Sequence, residues 1–385
     1  MGLTKNGNRR AIHAFIVNYN QPEFCQHAIQ KLVSNNRTDL IKRQIDLCVH
    51  WIDNSGKSPC QFRDQAQDFV SKSGVKWNAH LHATNLGFGQ ACQGVFELIE
   101  PSDHVLLINP DAELSGLATM FDSLTTASEF VAGVGPQSYW DSNKRFYLPP
   151  AWLIDEEFVM NECLARHLPF YARYRSRELR KAALKIWNAT QVTPIEAISG
   201  ACGLFRASTL HRVGGLFDQA FFMYWEDTEL MLRLNRAGFK TLLDPSAQLI
   251  HHYVHTIAKS KMIESGRETY LDRLAILPHW FQIGDQNTEA LWRCKTIYLA
   301  EGKDLRLRNP ELARSDVKST NSHSQLWELG LSSEFVPTIG TFSMDLLIPW
   351  QLLARVSEMP IFIRMIGNLQ EYCWKVEIIK SSKSS

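Results

Sequence analysis

The feature that most limits how this chain can fold is the alternation of strand-like and helix-like segments over residues 11–108. Strand patterns fall at residues 11–17, 45–52, 76–82 and 104–108, and helix patterns at 22–33, 62–73 and up to about residue 99. Strands that alternate with helices imply right-handed crossovers and parallel pairing. The sequence therefore predicts an α/β fold in which helices flank a mostly parallel central sheet.

Polar clusters follow three of these strands, at residues 53–56, 85–90 and 109–113. In mostly parallel sheets the ligand site forms beyond the carboxyl ends of the strands, where such clusters meet at one edge. We therefore expect the three clusters to serve a common ligand.

Composition excludes several classes of protein. The chain has 385 residues, 45% hydrophobic and 21% charged, which suits one large globular domain with additions or two domains. A formal net charge of +1 gives no reason to expect nucleic-acid binding. The most apolar stretch, 346–366, contains Arg355, Glu358 and Arg364, so no membrane-spanning helix is predicted. No signal peptide or N-terminal myristoyl group is indicated, and the eight scattered cysteines are typical of reduced thiols in a cytoplasmic protein.

The later part of the chain breaks the alternation. Residues 151–190 read as a basic, aromatic insertion, either a solvated helix face or a flap for an anionic acceptor, and the solvated face is favoured. Strands are predicted near 198–205, 240–243 and 248–251, and a helix over about 259–300. Residues 302–335 suggest a loose linker, and the extension over 261–385 is predicted to be mostly helical.

The stretch FFMYWEDTELMLRLNRAG, residues 221–238, places carboxylates directly after aromatic rings. A helix is expected to follow and to stop at Gly238. Asp227 suits its N-cap, and Glu229 suits the positive first turn. Helix capping and acid–base chemistry therefore compete as explanations of Glu226 and Asp227.

Four sequence blocks together carry a family resemblance. They are FIVNYN (15–20), WIDNSG (51–56), NLGFGQACQG (85–94) with LLINPDAEL (106–114), and the block at 199–252 that holds SGACGLFR, VGGLFD and YWEDTEL. The chain resembles the family-2 glycosyltransferases of the Rossmann-like GT-A fold, and among them the rhamnosyltransferase-like members of bacterial surface polysaccharide synthesis. The resemblance implies a glycosyltransferase domain over 1–260, which includes the 151–190 insertion, and an extension over 261–385.

The resemblance also implies a divalent cation, Mg²⁺ or Mn²⁺, that neutralises the diphosphate of a nucleotide sugar. Asp111 matches the end of the acidic metal motif, whose first position is Asn109 here, and His251 matches the histidine that completes the site. Neighbours on a strand point to opposite faces, so His252 is expected to point away. An Asx turn at Asp111 and a core position for His251 are the alternatives.

The implied donor site uses residues from several of the blocks. They are Asn18, Asp53, Asn85, Gly87, Asn109, Gly200, Ala201 and Trp225. Asp53 is implied to contact the nucleotide base, although Asp-Asn-Ser-Gly also favours a turn. Small residues at 200 and 201 are implied to let the donor sugar pass close to the backbone.

In this family the catalytic base is the aspartate of an acidic pair that opens a helix, which matches Asp227. Glu226 would contact acceptor hydroxyls or raise the proton affinity of Asp227. The implied reaction is inverting transfer from dTDP-rhamnose or a UDP-sugar to a glycan or lipid-linked glycan. A catalytically silent sugar-nucleotide-binding scaffold is the alternative. A nucleotidyltransferase is disfavoured, because it would normally carry a glycine-rich triphosphate loop with a lysine near its N-terminus, and FIVNYNQPE has neither.

Peripheral contact with the inner face of the membrane is expected from the 165–187 basic segment and from a tail helix carrying Trp350 and Trp374. Packing of these residues on the core or in a homo-oligomer interface is the alternative.

Overall fold

A computed structural model describes residues 10–56, 60–252, 260–274, 294–311, 324–331, 338–367 and 370–380. Within these ranges, nine strands form the central sheet, in the order β3-β2-β1-β4-β8-β6-β9-β5 with β7 paired to β9. The strands are β1 (Ala11–Asn18), β2 (Asp46–Asp53), β3 (Lys76–Leu81), β4 (His104–Ile108), β5 (Ala112–Ser115), β6 (Val131–Tyr139), β7 (Thr193–Ile195), β8 (Cys202–Arg206) and β9 (Lys240–His251).

The pairing pattern gives six strands of this described sheet one common direction, namely β1, β2, β3, β4, β6 and β9. β8, β5 and β7 run the other way. The predicted α/β fold with a mostly parallel central sheet is thus confirmed. β9 is one continuous strand with a register shift opposite Pro136 and Gln137, where two short strands were expected.

Helices cover both faces of the sheet. The helices described up to residue 271 are α1 (Pro22–Lys42), α2 (Gln61–Lys72), α3 (Phe88–Phe96), α4 (Leu117–Thr126), α5 (Glu156–His167), α6 (Pro169–Trp187), α7 (Ala207–Arg212), α8 (Glu226–Arg236) and α9 (Ser260–Leu271). Apolar residues of α1, α2 and α4 pack in the core on one face. Those of α3, α7 and α8 pack in the core on the other face. Burial of both faces fixes the strand register and so the positions of the strand ends.

The carboxyl ends of four strands lie at one edge of the sheet, called the polar edge here. β1, β2, β4 and β9 finish there, at Asn18, Asp53, Ile108 and His251. Two of the antiparallel strands, β8 and β5, begin at the same edge, since Cys202 of β8 pairs with Ile108 and Ala112 of β5 pairs with His251. Segments far apart in the sequence therefore meet at this edge.

The 151–190 insertion contains α5 and α6, and α6 is half buried. Leu179, Ala183 and Trp187 face inward, and the Trp187 indole N–H donates to the carbonyl of Leu148 at 2.9 Å. The ring of Trp187 also lies against Gly340, where a side chain would collide with it. The solvated-face interpretation holds only for the outer residues of α6.

The C-terminal extension was predicted to be mostly helical. This prediction is wrong, because the described part of the extension is mostly strand. Its elements after α9 are β10 (Lys295–Ala300), β11 (Leu305–Leu307), β12 (Gln325–Gly330), β13 (Thr338–Ser343), β14 (Leu346–Ile348), α10 (Trp350–Leu353), a short 3-10 turn (Ala354–Val356), β15 (Ile361–Ile366) and β16 (Glu371–Ile379). β10, β16, β15, β12 and β13 form a second sheet, and β11 pairs with β14.

The physical reason for this correction is the period of the apolar residues. In β16, Tyr372, Trp374, Val376 and Ile378 alternate with more polar residues, which is the period of a strand and not of a helix. Trp374 is buried in the core of the second sheet, so the predicted interfacial helix with Trp350 and Trp374 is wrong. β11 and β12 likewise replace parts of the predicted 302–335 linker, and residues 312–323 and 332–337 of it lie outside the described ranges. Of the predicted 259–300 helix, residues 260–271 form α9 and 295–300 form β10, while 275–293 also lie outside the described ranges.

Two cysteines are paired, which corrects the prediction of reduced thiols throughout. Cys294 and Cys373 form a disulfide across β10 and β16, although they are 79 residues apart in the sequence. The parallel register pairs Lys295 with Trp374 and so places the two cysteines side by side. The other six cysteines are free, and four of them are buried. None of the helices in the described ranges is both long and apolar enough to cross a membrane.

Candidate active site

Asp111 and His251 meet at the polar edge of the sheet. The His251 Nε2 lies 3.2 Å from Asp111 Oδ1, and both side chains are less than one-tenth exposed. β5 holds them together, because Ala112 pairs with His251 and the amide of His252 donates to the carbonyl of Asp111 at 3.0 Å. The side-chain nitrogen Nδ2 of Asn109 lies 3.5 Å from His251 Nε2. The predicted metal-motif residues are therefore neighbours in space.

His252 points away from His251, as expected for consecutive residues on a strand. Its Nε2 lies 3.2 Å from Glu113 Oε1, and its Nδ1 lies 3.5 Å from the Arg355 guanidinium. Glu113 is half buried in β5 and also lies 3.3 Å from His27 Nε2. Burial alone would raise the pKa of Glu113, but hydrogen bonds from His252 and His27 outweigh it and lower the pKa.

Arg355 lies beside the candidate site and was not predicted from the sequence. It comes from the C-terminal extension, and it donates to the carbonyl of Trp140 at 3.1 Å. Burial lowers the pKa of its guanidinium, while the charges of Asp111 and Asp141 act in the opposite direction. The available signal was that Arg355 is one of only three charged residues in the apolar stretch 346–366.

Asp227 lies in the first turn of α8 and not at its cap. The helix begins at Glu226, and Trp225 before it has a left-handed backbone with φ 71°. Asp227 Oδ2 accepts from the Gly200 amide at 2.9 Å, and its Oδ1 accepts from the Thr228 amide at 2.8 Å. Two backbone donors thus fix the orientation of the carboxylate.

Gly200 and Ala201 connect Asp227 to the Asp111 side of the site. A Cβ on Gly200 would stand only 2.7 Å from Asp227 Oδ2, so a larger residue cannot fit without displacing the carboxylate. The carbonyl of Ala201 accepts a hydrogen bond from the backbone N–H of Asn109 at 2.9 Å. A continuous series of contacts therefore runs from Asp227 through residues 200, 201 and 109 to His251.

Glu226 differs sharply from its neighbour Asp227. Its side chain is 7% exposed, and its Oε2 is buried without a hydrogen-bond partner among the described residues. Burial, and then the nearby charge of Asp227, raise the pKa of Glu226 to about 8. This pKa favours the protonated form of Glu226 at neutral pH. The expected effect of Glu226 on the proton affinity of Asp227 stays a prediction.

Asn18 and Asp53 end neighbouring strands and share Ser55. The Asn18 amide donates to Ser55 Oγ at 3.0 Å. Asp53 Oδ1 accepts from the Ser55 amide at 2.8 Å, and its Oδ2 accepts from the Trp51 indole at 3.1 Å. The turn alternative for Asp53 thus describes its local contacts, and these contacts hold its carboxylate in place at the polar edge.

Asn85 and Gly87 shape the loop before α3. Asn85 Oδ1 accepts from the Gly87 amide at 2.9 Å, and Gly87 has φ +81°. The next amide, of Phe88, donates to the Phe222 carbonyl at 2.8 Å. The loop is therefore docked on the aromatic stretch that precedes α8.

The rings of that stretch divide between the core and the surface. Trp225 packs on Tyr270 of α9, with ring centroids 5.3 Å apart, whereas Phe222 is 40% exposed. The Tyr270 hydroxyl donates to the carbonyl of Ile154. α9 and the insertion thus fix the position of Trp225 beside Glu226.

The donor atoms around Asp111 fit a hard divalent cation. A carboxylate, an imidazole and an amide suit Mg²⁺ or Mn²⁺, with phosphate oxygens or water to complete the coordination. Within the described residues, no third His, Cys, Asp or Glu side chain joins Asp111 and His251 closely enough to complete a three-ligand site. Such a site binds a cation best together with a phosphate ligand.

Two rhamnosyltransferases are similar in sequence to parts of this chain. An N-acetylglucosaminyl-diphospho-decaprenol L-rhamnosyltransferase of Mycobacterium tuberculosis is 38% identical over 128 residues, which are 32% of this chain and 38% of that protein. The chain thus matches about two fifths of the length of this relative. The rhamnosyltransferase WbbL of Escherichia coli is 24% identical over 260 residues, which are 63% of this chain and 84% of that protein.

Among solved structures, the mannosyltransferase PcManGT from Pyrobaculum calidifontis, in complex with GDP-Man and Mn²⁺, is similar with a TM-score of 0.43 and 11% identity. The match covers 72% of this chain and 68% of that one. A family model described as "Glycosyltransferase like family 2" matches residues 9–270. Because this match covers well over half of the chain, the protein belongs to glycosyltransferase family 2.

Proposed function

We propose that the protein is a metal-dependent, inverting glycosyltransferase that moves a sugar from a nucleoside diphosphate to a hydroxyl group of a glycan. The observation that carries this proposal is the series of contacts that joins Asp227, Gly200, Asn109, His251 and Asp111 at one edge of the sheet. A base and a cation-binding pair lie within one site only if these segments converge.

The diphosphate would be held at the Asp111 end of the site. Asp111 and His251, with Asn109 beside them, would hold the divalent cation, which supplies charge neutralisation for the departing diphosphate. Arg355 adds a second positive group near Asp111. Asn18 and Asp53 would contact the base, and the loop with Asn85 and Gly87 would contact the ribose or phosphates.

The transfer itself would use Asp227 as general base. Asp227 takes the proton of the acceptor hydroxyl as its oxygen bonds to the anomeric carbon, and the bond from that carbon to the diphosphate breaks on the opposite face. The Gly200 and Thr228 amides hold the Asp227 carboxylate in one orientation. A protonated Glu226 can donate a hydrogen bond to an oxygen of the acceptor glycan or of the nucleotide sugar. An ionised Glu226 cannot.

The substrates belong to the same proposal. The two rhamnosyltransferase relatives support dTDP-rhamnose as donor, with a UDP-sugar as the other choice. The name of the mycobacterial relative indicates a lipid-linked N-acetylglucosamine acceptor, so a lipid-linked glycan is proposed here also. Such an acceptor favours a peripheral location at the inner face of the membrane.

The test is a screen of nucleotide sugars with Mn²⁺ or Mg²⁺, read first as thermal stabilisation and then as release of nucleoside diphosphate. Asp227→Asn should lower turnover by about 100-fold or more while donor-induced stabilisation stays nearly unchanged. Asp122→Asn, a partly exposed acid that pairs with Arg43, is the matched control and should leave turnover unchanged.

Two outcomes would contradict the proposal. If the wild type is stabilised by a donor but releases no nucleoside diphosphate, with or without acceptor, the protein is a sugar-nucleotide-binding scaffold. If Asp227→Asn turns over normally, the base is another group.

A further inference from the structure

A second cluster of metal-binding side chains lies on the sheet, toward the amino ends of the strands and away from the candidate active site. His13 on β1 stands opposite Cys48 on β2, and His50 follows two residues later on the same face. One ligand atom from each of the three lies within 4.8 Å of the other two. His13 Nδ1 and His50 Nε2 are only 2.9 Å apart.

Each of these three side chains has a polar partner behind it. His13 Nε2 lies 3.4 Å from Asp103 Oδ2, and His50 Nδ1 lies 2.9 Å from His80 Nε2. The Asn78 amide donates to Cys48 Sγ at 3.1 Å. Carboxylate–histidine pairs and amide donors to sulfur are the contacts that orient and tune ligands in metal sites.

The proton positions leave the right lone pairs for a cation. Asp103 accepts the proton on Nε2 of His13, so His13 Nδ1 carries a lone pair directed at His50. His50 can move its own proton from Nε2 to Nδ1, since His80 Nε2 can accept there as the other tautomer. Cys48 then needs only to release its thiol proton to become a ligand.

We propose that His13, Cys48 and His50 form a zinc-binding site, separate from the cation site at Asp111 and His251. Thiolate and imidazole donors select Zn²⁺ over the hard cations Mg²⁺ and Mn²⁺. Tetrahedral ligands at about 2.0–2.3 Å from Zn²⁺ stand roughly 3.3–3.7 Å apart, which small side-chain rotations in this cluster reach. Water takes the fourth position, on the side where His13 is partly exposed.

Zinc at this position would join β1 to β2 and, through His80, to the edge strand β3. Binding releases the Cys48 proton to solvent and changes no other bond, so no oxidant or further reactant is needed. The expected role is therefore stabilisation of the folded chain, with no part in glycosyl transfer.

Cobalt titration of the full-length protein, freed of metal with a chelator, tests the proposal. Co²⁺ in a thiolate-containing tetrahedral site gives a sulfur-to-cobalt charge-transfer band, which the carboxylate and imidazole of the Asp111 site cannot give. We expect this band at one equivalent of Co²⁺ and its loss when Zn²⁺ is added. Cys48→Ser should abolish it, and Asp103→Asn should weaken zinc binding by about 10–100-fold.

Matched controls are Cys163→Ser, His167→Gln and Asp111→Asn, all of which should keep the band. If Cys48→Ser fails to fold, His13→Gln keeps the thiol and should still weaken the band. A wild-type protein without the band, or a band that survives both Cys48→Ser and His13→Gln, overturns the proposal. Neither result depends on whether the protein transfers a sugar.

Discussion

At the scale of single residues, Glu226 and Asp227 show how packing separates two adjacent carboxyl groups. Asp227 has two backbone amides on its carboxylate, whereas Glu226 is buried beside it with an unpartnered oxygen. Burial and the charge of Asp227 raise the pKa of Glu226 to about 8. Burial thus favours the protonated form of Glu226, whereas Asp227 accepts two backbone hydrogen bonds, and such different surroundings suit different tasks.

Glu226 makes the stability of the fold depend on pH. Its folded pKa lies above its unfolded pKa, so the folded state binds the proton more tightly. Its contribution is fully present below the unfolded value and is lost as the pH rises toward about 8. The free energy of unfolding should fall over this window by at most about 1.4 kcal/mol per pH unit from this group.

The measurement is urea unfolding of the wild type and Glu226→Gln across that pH window. Gln keeps the shape and remains neutral, so the variant should lose less stability than the wild type as the pH rises. Glu129→Gln, at an exposed position, should follow the wild type. Parallel pH profiles for the wild type and Glu226→Gln would show that Glu226 is ionised in the folded protein throughout.

The sequence identified the candidate site residues, but it did not predict which groups they contact. The aromatic stretch, the acidic pair and Gly238 were sufficient to place α8. The family resemblance predicted Asp111 and His251 as neighbours in a metal site, and the two side chains do lie side by side. The state of Glu226 could not be predicted, because its burial depends on neighbours that sequence spacing does not reveal. Arg355 was missed for the same reason.

At the scale of elements, the α5–α6 hairpin has two different faces. Its inner face contains Leu179, Ala183 and Trp187 and packs against the second sheet. Its outer side carries large exposed apolar residues together with basic ones. The exposed apolar residues are Met160, Leu164, Leu168, Phe170 and Tyr174, and the exposed basic residues are Arg166, Arg173, Arg177 and Lys181. This combination is typical of surfaces that lie on anionic lipid.

We expect this hairpin, and not the tail, to mediate the proposed membrane contact. Met160→Glu combined with Phe170→Glu should reduce flotation with mixed phosphatidylcholine–phosphatidylglycerol vesicles, because both side chains are more than half exposed. Binding by the wild type should also weaken as salt is added. Leu98→Glu, at a residue 69% exposed elsewhere, is the control. Equal flotation of the double variant and this control would assign the contact to another surface.

A buried charge network fixes α6 to the second sheet. Arg364 Nε lies 2.7 Å from Glu328 Oε2, and Arg180 Nε lies 3.1 Å from the same oxygen. Arg180 also pairs with Glu371 at 2.9 Å. Loss of one partner of a buried ion pair is strongly destabilising, so we expect removal of Arg180 to weaken the packing of α6 on the second sheet.

At the scale of the whole molecule, the C-terminal extension reaches the proposed active site. Arg355 follows α10 and contacts both the carbonyl of Trp140 and His252. Its position near Asp111 gives a positive charge where the diphosphate is proposed to bind. The division into a domain over 1–260 and an extension over 261–385 remains a proposal. With this division, the extension would contribute Arg355 to the site.

Substitution of this arginine tests that idea. Arg355→Gln should raise the KM for the nucleotide sugar about tenfold or more, since charge-assisted hydrogen bonds contribute about 1.5–3 kcal/mol. Arg306→Gln, at an exposed arginine of β11, should leave KM unchanged. An unchanged KM in Arg355→Gln would limit the extension to a structural role.

The sequence by itself determined the α/β alternation, the polar ends of the strands and the acidic pair at the start of α8, because these depend on local patterns of a few residues. Only the tertiary structure decided that Asn109 lies beside His251, 142 residues away, and that Cys294 pairs with Cys373. The same holds for the strands of the extension, for Arg355 at the site and for the cluster of His13, Cys48 and His50. These features depend on strand register and on packing between distant segments, which no short stretch of sequence specifies.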